Sequence, residues 1–335
     1  MFGYLRLLLA FFVLVSHVNV RIFNLNPGVV AVVIFYILAG HVVSHLWLDV
    51  FPNGKGKLYR FYRDRALRIF PLYGYIALLT LLFLLLTGYG NPDFSPVKMI
   101  NTFLIIPLNY YMVMDNAMLT DLNKLLIPPA WSLGAELQAY LILPLIFVFK
   151  RMKIVLVLSS LAVYMLANLS FIHADYFGYR LIAGVFFIFA LGSSIQITQA
   201  GSSAITLFDR LFPWFVWVGV LVLGGVFYRM DLFSPAYTRE TFLGLLLGVP
   251  LVFFMGKTPI KLPCNALLGS LSYGVFLGHY LVKWWLDYTH YINSDSALYI
   301  PAITLGALVI AYGGVWGVEK KVDRIRKTPK NRDLR

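Results

Sequence analysis

A chain of 335 residues that is 60% hydrophobic and only 13% charged is excluded from the ordinary soluble class, in which about 25% of residues are charged. Its net charge of +13 does not point to nucleic acid. The basic residues sit in short loops between apolar stretches and near the C-terminus, the pattern of cytoplasmic loops in a membrane protein. The single cysteine, Cys264, excludes an internal disulfide.

Apolar stretches near the ~20 residues needed to cross a bilayer recur along the chain. They predict helical spans at 4–20, 28–48, 69–87, 131–149 and 154–171, then at 180–198, 213–229, 240–256, 265–286 and 297–317. In the first, Leu7 to Val15 is apolar after a single Arg6 and no A-x-A-like cleavage signal comes after it, so it reads as an uncleaved helix and not a signal peptide. The one long connection runs from Tyr89 to Pro129. Its apolar part, Met99 to Met114, is broken by Pro107 and Asn109 and reads as an interfacial or re-entrant segment. The predicted fold class is all-α, a polytopic transmembrane helix bundle of about ten spans. One domain covers 1–318 and a basic cytoplasmic tail covers 319–335.

Lys and Arg are divided unequally between alternate loops. Twenty fall in the loops after spans two, four, six and eight and in the tail, and seven fall on the other side. By the positive-inside rule both termini are cytoplasmic.

Ionisable residues within spans are expensive and often functional. Arg6 and His17 lie eleven positions apart on the first helix, on nearly one face and about 16 Å apart along the axis. Either they serve a site, or Arg6 snorkels to headgroups and His17 is an interfacial residue. Glu136 begins the fourth span after Trp131 and Ser132. At a depth comparable to His17 it suits acid–base work, fixing the imidazole's tautomer, or else a structural ion pair. A helix through 59–71 puts Arg65 and Arg68 on one face, suited to phosphates or serving only as topological charge. His41 and His45 have i, i+4 spacing without a third metal ligand nearby. His279 with Lys283, and Arg180, face either a polar cavity or the headgroups.

Together these pieces resemble the acyltransferase-3 family of bacterial membrane acyltransferases. Arg6-x10-His17 resembles its first-helix signature, and Phe35-Tyr36-Ile37-Leu38-Ala39-Gly40 its FFxLSG segment. Arg65-x-x-Arg68-Ile69-x-Pro71-x-Tyr73 resembles its RxxR–P–Y motif, and Trp131-Ser132-Leu133-x-x-Glu136 its WSLxxE. Arg180 through Gly192, and Leu268-Gly269-x-Leu271-Ser272-Tyr273 with His279, are similar to later segments. Two positions depart: Ala39 stands where the motif has Ser, and His41 where an apolar or aromatic residue is usual.

The resemblance implies O-acylation, most often O-acetylation, of a cell-surface or lipid-linked carbohydrate. The co-substrate would be cytoplasmic acyl-CoA such as acetyl-CoA, with no bound cofactor and no metal. His17 would be the base and Glu136 its partner. Arg65 and Arg68, with Arg6 and Arg63, would serve the donor, and Trp131, Ser132, Arg180, His279 and Tyr73 would form the acceptor side or pocket. The location implied is the bacterial cytoplasmic (inner) membrane, with membrane lipid as a partner and nucleic acid excluded. The chain ends after its last helix, so a stand-alone form without an extracytoplasmic hydrolase-like domain is expected. The alternative is a transporter or flippase of a lipid-linked saccharide using His17, Glu136 and Arg180 as a polar path. The lack of an internal repeat speaks against it. A lipid-modifying acyltransferase would differ only in acceptor.

Overall fold

Each apolar stretch becomes a helix, and local signals set several of the ends. The computed structural model describes residues 1–201, 205–258, 260 and 262–326. In chain order the helices are α1 (Phe2–Ser16), α2 (Pro27–His45), α3 (Lys57–Thr87), α4 (Pro96–Leu104), α5 (Ala130–Val148) and α6 (Lys150–Asn168). They continue with α7 (Ile182–Gln199), α8 (Leu207–Arg229), α9 (Thr238–Lys257), α10 (Asn265–Thr289), α11 (Tyr299–Gly314) and α12 (Lys320–Arg326). Among the described residues there are only isolated β-bridges and no strands. Asn26 caps α2 by accepting the Gly28 N–H, with Pro27 in the first turn where its missing N–H costs nothing. Thr206 and Asp209 close a capping box on α8. Gly88 ends α3 at φ 66°, a left-handed conformation that glycine adopts without strain.

All ten predicted spans fall on α1–α3 and α5–α11. The largest difference is α3, which starts at Lys57, well before 69. Its charged first part is helical, so the helix carries Arg65 and Arg68 inward on one face. Among the described residues, eight helices are long and apolar enough to cross a membrane. The two long-range partners α1 and α10 are not among them: α1 has only 15 residues, and α10 carries Ser270, Ser272, His279, Lys283 and Asp287. Polar residues weaken the apolar signal in the helices that build a site.

α1 lies between α2 and α10. It runs parallel to α10, since the Gly3 N–H donates to Asn265 Oδ1 at 2.8 Å at one end and His17 meets His279 at the other. It runs antiparallel to α2, with Gly28 against Ser16 and Phe2 against His41. α2 crosses α7 through two glycines. A Cβ on Gly40 would fall 1.8 Å from the Phe189 carbonyl oxygen, and one on Gly192 1.8 Å from that of Ile37. Such close backbone approach is how membrane helices gain packing contacts, and it fixes the face that α2 shows to the interior. Outward-facing Leu85, Leu86, Phe215, Phe254 and Leu305 are exposed and form the surface a bilayer would cover.

The connection between α3 and α5 is cross-braced by polar side chains. At nine residues, α4 is about 13 Å long, too short to span. Lys98 Nζ holds Asp93 at 2.9 Å, Asp115 at 3.0 Å and the Ala117 carbonyl at 2.9 Å. Asn109 donates to the carbonyls of Trp131 and Arg180, tying the segment to α5 and to the turn Tyr176–Arg180 before α7. After α11 a π-turn, Val315–Glu319, leads into α12, which packs against α3 through Arg326 and Asp64, 3.2 Å apart. The start of the expected tail is therefore part of the bundle. Its remainder, 327–335 with Lys327, Lys330, Arg332 and Arg335, lies outside the described residues.

Candidate active site

Between α1, α2, α3, α5, α10 and α12 lies a cavity of about 470 Å³. One end of it is basic. Arg6 enters from α1, Arg65 and Arg68 from α3, and Arg326 from α12, with Glu136 and Glu319 among them. Arg63, two residues from Arg65, is on the other side of α3 and exposed. It is not brought to this cavity, because residues two apart do not share a helical face.

Most of these guanidinium groups already hold a carboxylate. Asp64 pairs with Arg65 and with Arg326. Glu319 pairs with Arg68, and Ser270 donates to the same carboxylate at 3.0 Å. Arg68 also donates to the Gly269 carbonyl at 3.3 Å. Arg6 makes no hydrogen bond or ion pair among the described residues, although Glu136 lies within its electrostatic reach. Glu136 itself accepts a hydrogen bond from the Tyr140 hydroxyl, one turn along α5.

That placement corrects the pairing expected from sequence: Glu136 belongs to the arginine end and does not hold His17. The partner of His17 is His279. The two rings are nearly parallel, 8° between planes with centroids 5.1 Å apart, and lie edge to edge, His17 Nδ1 2.9 Å from His279 Nε2. The tautomers follow from the next bond. His279 Nδ1 is 3.0 Å from the Val275 carbonyl, which can only accept, so Nδ1 carries the hydrogen and the neutral ring's Nε2 is the acceptor. His17 must then donate from Nδ1, leaving its own Nε2 unprotonated. The Tyr280 ring packs beside both imidazoles.

Two helices measure the distance between the ends. Arg6 to His17 is eleven residues of α1, about 16 Å, and Gly269, beside Arg68, to His279 is ten residues of α10, about 15 Å. Phe276 lines the cavity one turn before the histidine, so the cavity reaches to within a turn of the imidazole pair.

Beside the histidine end, Arg180 is caged by aromatic rings. Its guanidinium carbon lies 4.5 Å from the Trp131 ring centre, 5.2 Å from Tyr179, 5.6 Å from Tyr111 and 5.8 Å from Tyr237, all within cation–π range. Asp175 pairs with its Nε at 2.6 Å. Burial pushes the Tyr111 phenol up to about 12, against the pull of Arg180, so it stays a neutral face for the cation. Arg180 ends a π-turn, Tyr176–Arg180, a type of irregularity frequent at functional sites.

The remaining expected residues divide. Ser132 lines the cavity, its hydroxyl donating to the Pro129 carbonyl at 2.9 Å. Tyr73 does not line it. Its buried hydroxyl donates to the Thr102 carbonyl at 2.8 Å, an anchor for the connection between α3 and α5. His41 bonds Gln199 at 3.2 Å and His45 bonds Asp49 at 2.8 Å, so the two histidines turn to different partners. No group of three metal-ligating side chains occurs among the described residues.

Sequence reasoning missed Asp64, Glu319 and Arg326. Glu319 reaches Arg68 across 251 residues, and no local pattern announces such a contact.

The family model described as an acyltransferase domain, that of acyltransferase 3, matches residues 2–316. A protein of Aquifex aeolicus is 40% identical over 201 residues, covering 60% of this chain and 89% of its own length. A second relative, from Haemophilus influenzae, is 24% identical over 152 residues, covering 43% of this chain and 61% of its own. Both carry the name "Uncharacterized protein". No solved structure shows a significant match.

Proposed function

Because the chain belongs to the acyltransferase-3 family, we propose that it moves an acyl group, in the simplest case acetyl, from acyl-CoA to a hydroxyl of a cell-surface or lipid-linked carbohydrate. The observation that supports this reading most is the hydrogen-bond chain from Val275 through His279 to His17. It leaves a bare imidazole nitrogen about a turn beyond Phe276, a lining residue of the cavity in which the arginines gather.

A sugar hydroxyl is a weak nucleophile and needs a base. His17 Nε2 takes its proton while the hydroxyl oxygen attacks the thioester carbonyl carbon. The C–S bond then breaks, and the coenzyme thiolate recovers the proton from His17. During the step His17 becomes an imidazolium, and the lone pair of His279 Nε2 holds its Nδ1–H in place. His279 thereby takes the orienting role expected of Glu136.

The donor's phosphates fit the arginine end. Guanidinium forks bind phosphate bidentately, and the carboxylates of Asp64 and Glu319 hold those forks until an anion replaces them. Glu136 keeps its place there, near Arg6. A phosphorylated nucleotide on an extended arm has the shape to put charge at Arg65 and Arg68 and a thioester about 15 Å away. The basic asymmetry of the loops puts the arginine end in the cytoplasm, so the donor enters from inside and the acceptor approaches from outside, at Arg180 and Trp131. The membrane is then the bacterial cytoplasmic one.

The test is release of free coenzyme thiol by the purified protein in proteoliposomes. Acetyl-CoA is the donor, and a glycan extract from cells lacking the gene is the acceptor. Acceptor-dependent thiol release and a matching acetyl mass increment on the glycan are expected. No acetyl-CoA consumption by well-folded protein would refute the reading.

A further inference from the structure

Tyr36 is the unusual hydroxyl of this cavity. It stands on α2, 3% exposed, and lines the cavity. Its hydroxyl has no hydrogen-bond partner among the described residues. A buried phenol normally finds one, and Tyr73 and Tyr140, which are equally internal, both do. The ring of Tyr36 is fixed, packed 4.6 Å from Phe189 at the crossing where Gly40 and Gly192 bring α2 and α7 together. A rigid ring thus carries a donor that the protein itself does not use.

Its position along the cavity limits what it can meet. α2 runs antiparallel to α1, with Gly28 level with Ser16, so the Tyr36 backbone lies eight residues, about 12 Å, from that level toward the arginines. Helical side chains lean toward their helix N-terminus. Tyr36 therefore leans toward the histidine end, while His17, on the opposite helix direction, leans toward the arginine end. The two side chains therefore lean toward each other. Arg180 is within electrostatic reach of both Tyr36 and His17.

We propose that the Tyr36 hydroxyl donates a hydrogen bond to the carbonyl oxygen of the acyl donor's thioester and holds the oxyanion formed when the acceptor attacks. This rests on the acyl-transfer reading. In the step, the new C–O bond forms at the carbonyl carbon, and the C=O π pair moves onto the oxygen that Tyr36 faces. When that pair returns, the C–S bond breaks and the sulfur leaves as thiolate, protonated from His17. Tyr36 keeps its proton throughout. A fixed donor aimed at charge that develops only in the transition state contributes to kcat far more than to binding. Ala39, one turn further along α2 and also lining the cavity, has no hydroxyl to offer in its place.

The experiment compares wild type with Tyr36→Phe in proteoliposomes, using acetyl-CoA and the glycan extract, with CoA affinity and thermal melting measured on the same samples. Tyr36→Phe should lower kcat about 10²–10³-fold, the effect of removing one oxyanion donor, while CoA affinity and melting temperature stay unchanged. A kcat within twofold of wild type overturns the proposal. So does a loss confined to KM, which would make Tyr36 a binding contact, or one explained by a fallen melting temperature. Replacing Tyr36 with 3,5-difluorotyrosine keeps the shape and acidifies the phenol. kcat should then stay far above that of Tyr36→Phe, because the fluorinated phenol still donates, and a kcat as low as that of Tyr36→Phe overturns the role. Wild type that releases no thiol refutes acyl transfer itself, and Tyr36's part with it, whereas active wild type with an indifferent Tyr36→Phe variant overturns Tyr36 alone.

Discussion

The arginine end of the cavity and the histidine pair a turn beyond its lining are built on opposite electrostatic plans. At the arginine end, Arg65, Arg68 and Arg326 are held by Asp64 and Glu319, charges matched by charges. At the histidine end, two imidazoles face each other in a directional chain that ends on a carbonyl, and the nearby cation, Arg180, is held by aromatic faces and one carboxylate. Ion pairs can exchange one anion for another, so the first end suits a multiply charged ligand that must come and go. A tautomer chain fixes a single proton, so the second end suits chemistry. The arginines and the imidazole pair are separated by about 15 Å of two parallel helices.

The largest effect should come from breaking the reaction end. His17→Ala should abolish turnover, a loss of 10²-fold or more, with melting temperature and CoA affinity near wild type. His279→Leu should come next, lowering kcat about 10²-fold, because His17 then loses the acceptor that sets its tautomer. His279→Gln, which keeps an acceptor oxygen, should recover part of that loss and shift the pH profile of kcat, which a purely structural role would not do. The double variant His17→Ala/His279→Leu should lose little beyond His17→Ala, since the pair acts as a unit. Glu136→Gln should instead combine additively with His279→Leu and act on donor KM, because Glu136 belongs to the other end.

The binding end should respond in KM. Arg68→Lys should raise the donor KM about tenfold, because an ammonium cannot reproduce the fork. Arg68→Ala should also cost about 3–5 kcal/mol of stability by leaving the buried Glu319 carboxylate without a counter-charge, seen as a lower melting temperature. Glu319→Gln is the sharper test. It releases Arg68 from its internal anion, so donor KM should fall. A rise would show that Glu319 supports the site instead of competing with the donor.

The smallest effect is expected outside both ends. Lys98→Met removes the clamp on Asp93 and Asp115 and should lower the melting temperature by a few degrees without altering kcat. Lys98, and next the Ser95 N–H, hold the Asp93 carboxyl below the usual range. Its support is therefore complete above the unfolded carboxyl pKa, about 4, and is lost only as pH falls through the lower folded value. Neutral-range pH changes should leave the loop alone.

The helices are legible in the sequence because an apolar run of span length has little to do in a protein except cross a membrane. α3 is the exception, since its first part is too charged to read as a span yet is helical from Lys57. Arg6, Arg65 and Arg68 are legible as one group, and i, i+3 spacing puts the last two on one face. The pairing of His17 with Glu136 is not correct, because a shared depth says nothing about which side of a helix a residue occupies. On α5, Glu136 turns to Tyr140 and the arginines. His279 is recognisable from sequence only as a pocket residue, since its bond to His17 joins positions 262 residues apart. Glu319 and Arg326 are hidden for another reason. In a basic C-terminal stretch their charge looks topological, and only the π-turn after α11 brings them back to α3.

Donor and acceptor are expected to meet at His17 from opposite faces of the membrane, and sealed proteoliposomes test this directly. Their orientation is read from labelling of Cys264, free, exposed and next to Asn265 at the arginine end, with an impermeant maleimide. Acetyl-CoA is supplied to one face and the glycan acceptor to the other. Acetyl transfer is predicted when the donor is on the Cys264 face and the acceptor on the opposite one. Transfer only when both share the Cys264 face would contradict transfer across the membrane.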